Sequence, residues 1–115
     1  MTTIQIQKQN GNILGFSVSG HSGYAEEGSD IVCAAISALA QNVCVGLENV
    51  LNLNPTILVN EKKAILSCFV SKEEATNNTN VQTLFNTFEK SVELLLVGDK
   101  NLKKYIKLEV KNEIY

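Results

Sequence analysis

The chain has 115 residues, 44% hydrophobic and 19% charged, and its ten Lys and Arg against twelve Asp and Glu leave a net charge of −2. That length suits one domain, residues 1–115. The balance excludes an extended disordered chain and gives a nucleic-acid binder no electrostatic footprint. No apolar run reads as long enough for a membrane span. The opening MTTIQIQKQN lacks the basic start and apolar stretch of a secretory signal, so a cytoplasmic location is expected.

Ile4 and Ile6 alternate with Thr3, Gln5 and Gln7, which predicts a strand. Asn10-Gly11 accepts the positive φ angles of a two-residue turn, and Leu14, Phe16 and Val18 alternate inward along a second strand ending at Gly20. Residues 20–28, GHSGYAEEG, read as a loop in which Gly20, Gly23 and Gly28 ease unusual backbone angles and movement. Ser29 and Asp30 are both good N-cap residues. From there Val32, Ile36, Leu39, Val43, Leu47 and Val50 recur at helical spacing until Asn54-Pro55 closes the helix.

Strands follow around 55–60 and 63–70, joined across Glu61-Lys62-Lys63. A second helix near 80–97 presents Val81, Leu84, Phe85, Phe88, Val92, Leu95 and Leu96, and Gly98 stops it. A last strand alternates Ile106, Leu108 and Val110 with Lys107, Glu109 and Lys111. The fold class expected is α/β of the α+β type, in the order ββαββαβ, with two helices packed on a mixed sheet. Beyond its core stripe the first helix also carries Ala34, Ala35, Ala38, Ala40 and Val45. Such a face packs either on the second helix or on another copy of the chain.

Cys33, Cys44 and Cys68 are an odd number without a Cys-x-x-Cys pair, and His21 is the only histidine. Neither a disulfide framework nor a zinc site is expected, and no cofactor is called for. Cys44 lies eleven residues after Cys33, about 16 Å along one helix, so those two cannot pair within it. With Asp30 as cap, Cys33 occupies the first helical turn, where the helix dipole favours a thiolate. If the glycine-rich loop brings His21 within hydrogen-bond reach, the two form a thiolate–imidazolium nucleophile. The other reading makes Cys33 a small buried hydrophobe and His21 a surface residue.

The run GHSGYAEEGSDIVCAAISAL, Gly20 to Leu39, resembles the signature of the ribosomal-processing cysteine protease family called Prp. The matching features are the Gly-His, the Gly-Tyr-Ala, a following Gly, and Asp-Ile-Val-Cys-Ala-Ala leading to Ser-Ala-Leu. Ser22 and Ile36 stand where alanine and valine are common. The resemblance implies a homodimer that removes the N-terminal extension from the precursor of large-subunit ribosomal protein 27, cutting after an aromatic residue in a hydrophobic motif. It makes Cys33 the nucleophile and His21 the general base, with neither metal nor cofactor, nucleic acid nor membrane involved.

Asp30 and Ser37 match further family positions near the site. Asp30 serves either as the helix cap or as a carboxylate orienting His21, and it opposes thiol ionisation unless imidazolium offsets it. The Ser37 hydroxyl, one turn beyond Cys33, bonds the imidazole or substrate, or else bonds back to the Cys33 carbonyl. Gly20, Gly23 and Gly28 suit a loop that closes on substrate, where Tyr24 packs over the peptide or anchors the loop. Backbone N–H groups at the helix start are the natural oxyanion donors. The rival classes are a non-enzymatic ribosome-assembly accessory and a thiol redox enzyme. The second needs a resolving cysteine such as Cys68.

Overall fold

The computed structural model describes residues 1–20 and 31–113. Strands β1 (Thr2–Gln9) and β2 (Asn12–Ser19) form the expected hairpin. At its tip Asn10 and Gly11 have φ angles of 51° and 84°, the paired positive values of the tight turn that matches strand twist. Helix α1 (Ile31–Val45) continues into a π-helical turn, Gly46–Val50. Then come β3 (Thr56–Asn60), β4 (Ile65–Phe69), the short helix α2 (Lys72–Asn77), α3 (Thr79–Gly98), a 3₁₀ turn at Lys100–Lys104, and β5 (Ile106–Glu113).

The five strands lie in the order β3-β4-β2-β1-β5. Among the described residues, β1 and β5 are the one parallel pair, and the remaining pairs are antiparallel. The α+β class, the mixed sheet and the succession of strands and long helices are as expected. Helix α2 is an addition. Its start follows a capping pattern, with the Ser71 hydroxyl accepting from the Glu74 N–H at 3.1 Å.

Register decides what each face of the sheet carries. Val59, Leu66, Val18, Ile4 and Leu108 lie abreast across all five strands, and Ile57, Cys68, Phe16, Ile6 and Val110 form the next row on the same face. That face meets α1 and α3 in one core with Val32, Ile36, Val43, Val81, Phe85 and Phe88. Phe16 sits at its centre, stacked on Phe88 at 4.4 Å between ring centroids and edge-on to Phe85 at 6.2 Å. The opposite face carries Thr3, Gln5, Ser17, Lys107 and Glu109.

Leu14 is corrected by the register. It falls where the β1–β2 pairing slips between Gln7 and Lys8, so Ile13 enters the core in its place. A bulge reverses the alternation beyond it, which a strict period of two cannot reveal. The backbone of Ile13 is then held by a side chain: its N–H donates to Gln82 Oε1, and its carbonyl accepts from Gln82 Nε2, both at 2.8 Å. Beside this, Lys8 reaches the buried Glu89 carboxylate at 3.2 Å and ties β1 to α3.

The core face of α1 also differs from the expected stripe. Ala40 and Cys44 are buried, Leu39 is half-buried against the core, and Val50 is 71% exposed. The i,i+4 row of Val32, Ile36, Ala40 and Cys44 carries the face along the helix. The wider π turn, with the Leu51 N–H on the Gly46 carbonyl, then rotates Val50 away from it. The expectation that no run is long enough to span a membrane also needs correction. Ile31–Val50 is long and apolar enough by length and composition, with Glu48 its one charged residue. Its inward row nevertheless packs on the sheet, as in a core helix.

Candidate active site

The helices cover the sheet unevenly. A groove of about 360 Å³ lies between α1 and the β3–β4 half of the helix-facing side. Val18, Leu66 and Val59, neighbours in one row, supply its apolar floor, and Cys33, Ser37 and Gln41 supply the α1 wall. Three side chains at i, i+4 and i+8 share a helix face, so one helix orientation places them all on the groove. Cys33 is partly exposed in the first described turn of α1, at the positive end of the helix dipole.

The Ser37 hydroxyl accepts a hydrogen bond from Gln41 Nε2 at 2.9 Å on that wall. Gly20 lies on the opposite rim, and its N–H donates to the Ala64 carbonyl at 3.0 Å, which joins the end of β2 to the β3–β4 turn. Its φ of +83° is a left-handed value, and a Cβ there would stand 2.5 Å from the Met1 carbonyl oxygen. Only glycine satisfies both, which gives the Gly-His pair of the sequence a backbone reason. His21, Gly23, Tyr24, Gly28 and Asp30 lie outside the described residues.

The other two thiols are set apart from the groove. Cys44 is 8% exposed and Cys68 fully buried. Cys68 is hydrogen-bonded to Cys44, and that bond, followed by burial, pushes the Cys68 thiol up. A neutral, enclosed thiol already paired within the core makes a poor resolving partner for Cys33. Among the described residues no group of three or more His, Cys, Asp or Glu is placed to hold a metal ion.

Sequence reasoning missed three contributors: Thr2, Gln41 and the β3–β4 turn. Gln41 could have been found from its i+4 spacing to Ser37. Thr2 meets Cys33, and the turn joins the same groove, only through strand register, which carries no local signal.

Comparison with known proteins bears on the family and the fold. The family model for cysteine protease Prp matches residues 1–107. The essential ribosomal processing protease Prp from S. aureus, in complex with a substrate peptide, superposes with a TM-score of 0.80 at 22% identity, covering 96% of this chain and 100% of that one. The same protease with a covalently linked product peptide gives 0.78 at 23% identity, with the same coverage. SMU.848 from Streptococcus mutans gives 0.80 at 22% identity, covering 98% of this chain and 99% of that one. At these identities the likeness shows the fold. No curated protein sequence matches the chain.

Proposed function

Because the chain belongs to the cysteine protease Prp family and is a cysteine protease, we propose that Cys33 is its nucleophile, His21 its general base, and a ribosomal-protein precursor its substrate. The observation that carries this reading is the position of Cys33: it is the thiol that opens onto an apolar-floored groove, while Cys44 and Cys68 are enclosed. His21 takes the thiol proton and Sγ attacks the scissile carbonyl carbon. The negative charge that develops on oxygen is met by the positive end of α1. The tetrahedral species collapses to a thioester as the amine leaves with the proton returned from His21. Water, deprotonated by the same imidazole, then cleaves the thioester and restores the thiol.

The substrate proposed is the precursor of large-subunit ribosomal protein 27, cut after an aromatic residue in a hydrophobic motif. The S. aureus relatives are ribosomal processing proteases, and the Val18, Leu66 and Val59 floor favours apolar side chains. A groove of about 360 Å³ also has room for an aromatic ring. A synthetic peptide spanning that extension is expected to be cut once, after the aromatic residue, as read by mass spectrometry. If the enzyme leaves it intact while cutting other hydrophobic peptides, the substrate assignment is wrong.

We also propose a homodimer in the cytoplasm. The outer face of α1 is not covered within the described chain: Ile31 is 66% and Val45 51% exposed, with Ala34, Ala35 and Ala38 exposed between them. Small residues on such a face let a second helix approach closely. Sedimentation equilibrium is expected to give twice the chain mass, and a monomer at micromolar concentration would overturn the dimer. The free thiols suit a reducing compartment, and recovery of the protein outside the cytoplasm on fractionation would remove that placement.

A further inference from the structure

Among the described residues, three polar side chains are buried: Thr2, Ser67 and Glu89. Glu89 holds Lys8. Thr2 is 1% exposed, and its hydroxyl lies 3.6 Å from Cys33 Sγ, a hydrogen-bond distance for sulfur. Its backbone is fixed independently, since its N–H donates to the Tyr105 carbonyl at 2.8 Å and the residue pairs with Ile106 of β5. The hydroxyl is therefore held by a strand anchored on both sides, and it stands beside the groove where the sulfur emerges.

Packing does not call for that hydroxyl. Thr2 shares its strand face with Ile4 and lies abreast of Ile106, both in the core. A valine would fill the same volume with no polar group to satisfy. What the hydroxyl adds is a hydrogen-bonding group beside one thiol.

We propose that Thr2 is a positioning residue for the nucleophile: its hydroxyl donates to Cys33 Sγ when the thiol ionises, stabilising the thiolate and holding it toward the groove. This rests on the reading of Cys33 as the nucleophile. In the resting pair either group can donate; once sulfur has lost its proton, only the hydroxyl can, and a hydrogen bond to a charged acceptor is the stronger kind. Thr2 is 1% exposed and its hydroxyl faces Cys33 Sγ, so the role assigned to it runs through sulfur.

The test compares Thr2→Val, which keeps shape and β-branching, with Thr2→Ser, which keeps the hydroxyl. On the peptide described above, Thr2→Val is expected to lower kcat about tenfold with KM unchanged, and Thr2→Ser to stay within about twofold of the parent. Without any substrate, iodoacetamide at neutral pH is expected to alkylate Cys33 about tenfold more slowly in Thr2→Val, with the serine variant again close to the parent. If Thr2→Val does not fold, Thr2→Ala removes the same hydroxyl and is read in the same way. Parent-like kcat or alkylation in the hydroxyl-free variant overturns the proposal, as does a serine variant that falls equally far. Cys33→Ala separates the two readings. A dead Cys33→Ala with a normal Thr2→Val removes only the role of Thr2, whereas full cleavage by Cys33→Ala removes the nucleophile assignment beneath it.

Discussion

Cys33→Ala is expected to lower peptide cleavage by about 10⁴-fold or more while leaving the fold intact. The two effects separate because of where the sulfur sits. Cys33 is only partly enclosed, at the first described turn of α1, and its removal empties a small space at a groove that water already reaches. The unfolding free energy is expected to change by only about 1 kcal/mol, mainly from the Thr2 hydroxyl losing its partner. Cleavage has no such cushion. Without Sγ no thioester forms, and the remaining groove binds peptide without dividing the reaction into two easier steps.

His21→Ala is expected to cost a similar factor, and the double variant little more than either single one, since the two groups act on one proton. The measurement is initial rate on the peptide beside a thermal melt. Unimpaired turnover with an unchanged melt would sink the assignment of Cys33. A lost melt would mean that its role is structural.

Local chemistry was legible wherever a residue's job depends on its neighbours in sequence. Asn10-Gly11 announces a turn because both residues take positive φ, and it makes that turn. The spacing of Val81, Phe85, Phe88 and Val92 announces a helix face, and all four are buried on α3. Ser71-Lys72-Glu73-Glu74 is a capping pattern of the same local kind. It is a faint signal, because the short helix it starts has only Ala75 as a buried residue and so little apolar periodicity.

What local pattern could not supply is register. Leu14 was misplaced because a bulge shifts the alternation by one, and nothing in the residues on either side marks the slip. Val50 was misplaced because a π turn adds rotation that a 3.6-residue period does not contain. The groove is a stronger case. Val18, Leu66 and Val59 come from three strands and become one floor only when β2, β4 and β3 pair in that register. Cys33 was legible as a candidate thiol from its helix position and its surrounding motif. Its neighbour Thr2 was not, because 31 residues separate them and the contact exists only after β1 and α1 have packed.

The largest expected loss of stability comes from Phe16→Ala, at about 3–5 kcal/mol. Phe16 is fully buried, touches both Phe85 and Phe88, and stands in register between Ile6 and Cys68. It is thus the point where sheet and α3 interlock, and its truncation forfeits transfer energy, aromatic contact and packing around the void together. A domain of this size has about 5–15 kcal/mol in all, so the variant approaches the limit of folding, and its Tm is expected to fall by more than about 10 °C. Phe16→Leu keeps most of the volume and is expected to lose about 1–2 kcal/mol. The pair also tests how far the groove depends on the core, because Val18 lies two residues along the same strand and on the same face. In Phe16→Leu the kcat per folded molecule is expected to match the parent. A loss under about 1 kcal/mol in Phe16→Ala would mean that the aromatic cluster is not the joint between the layers.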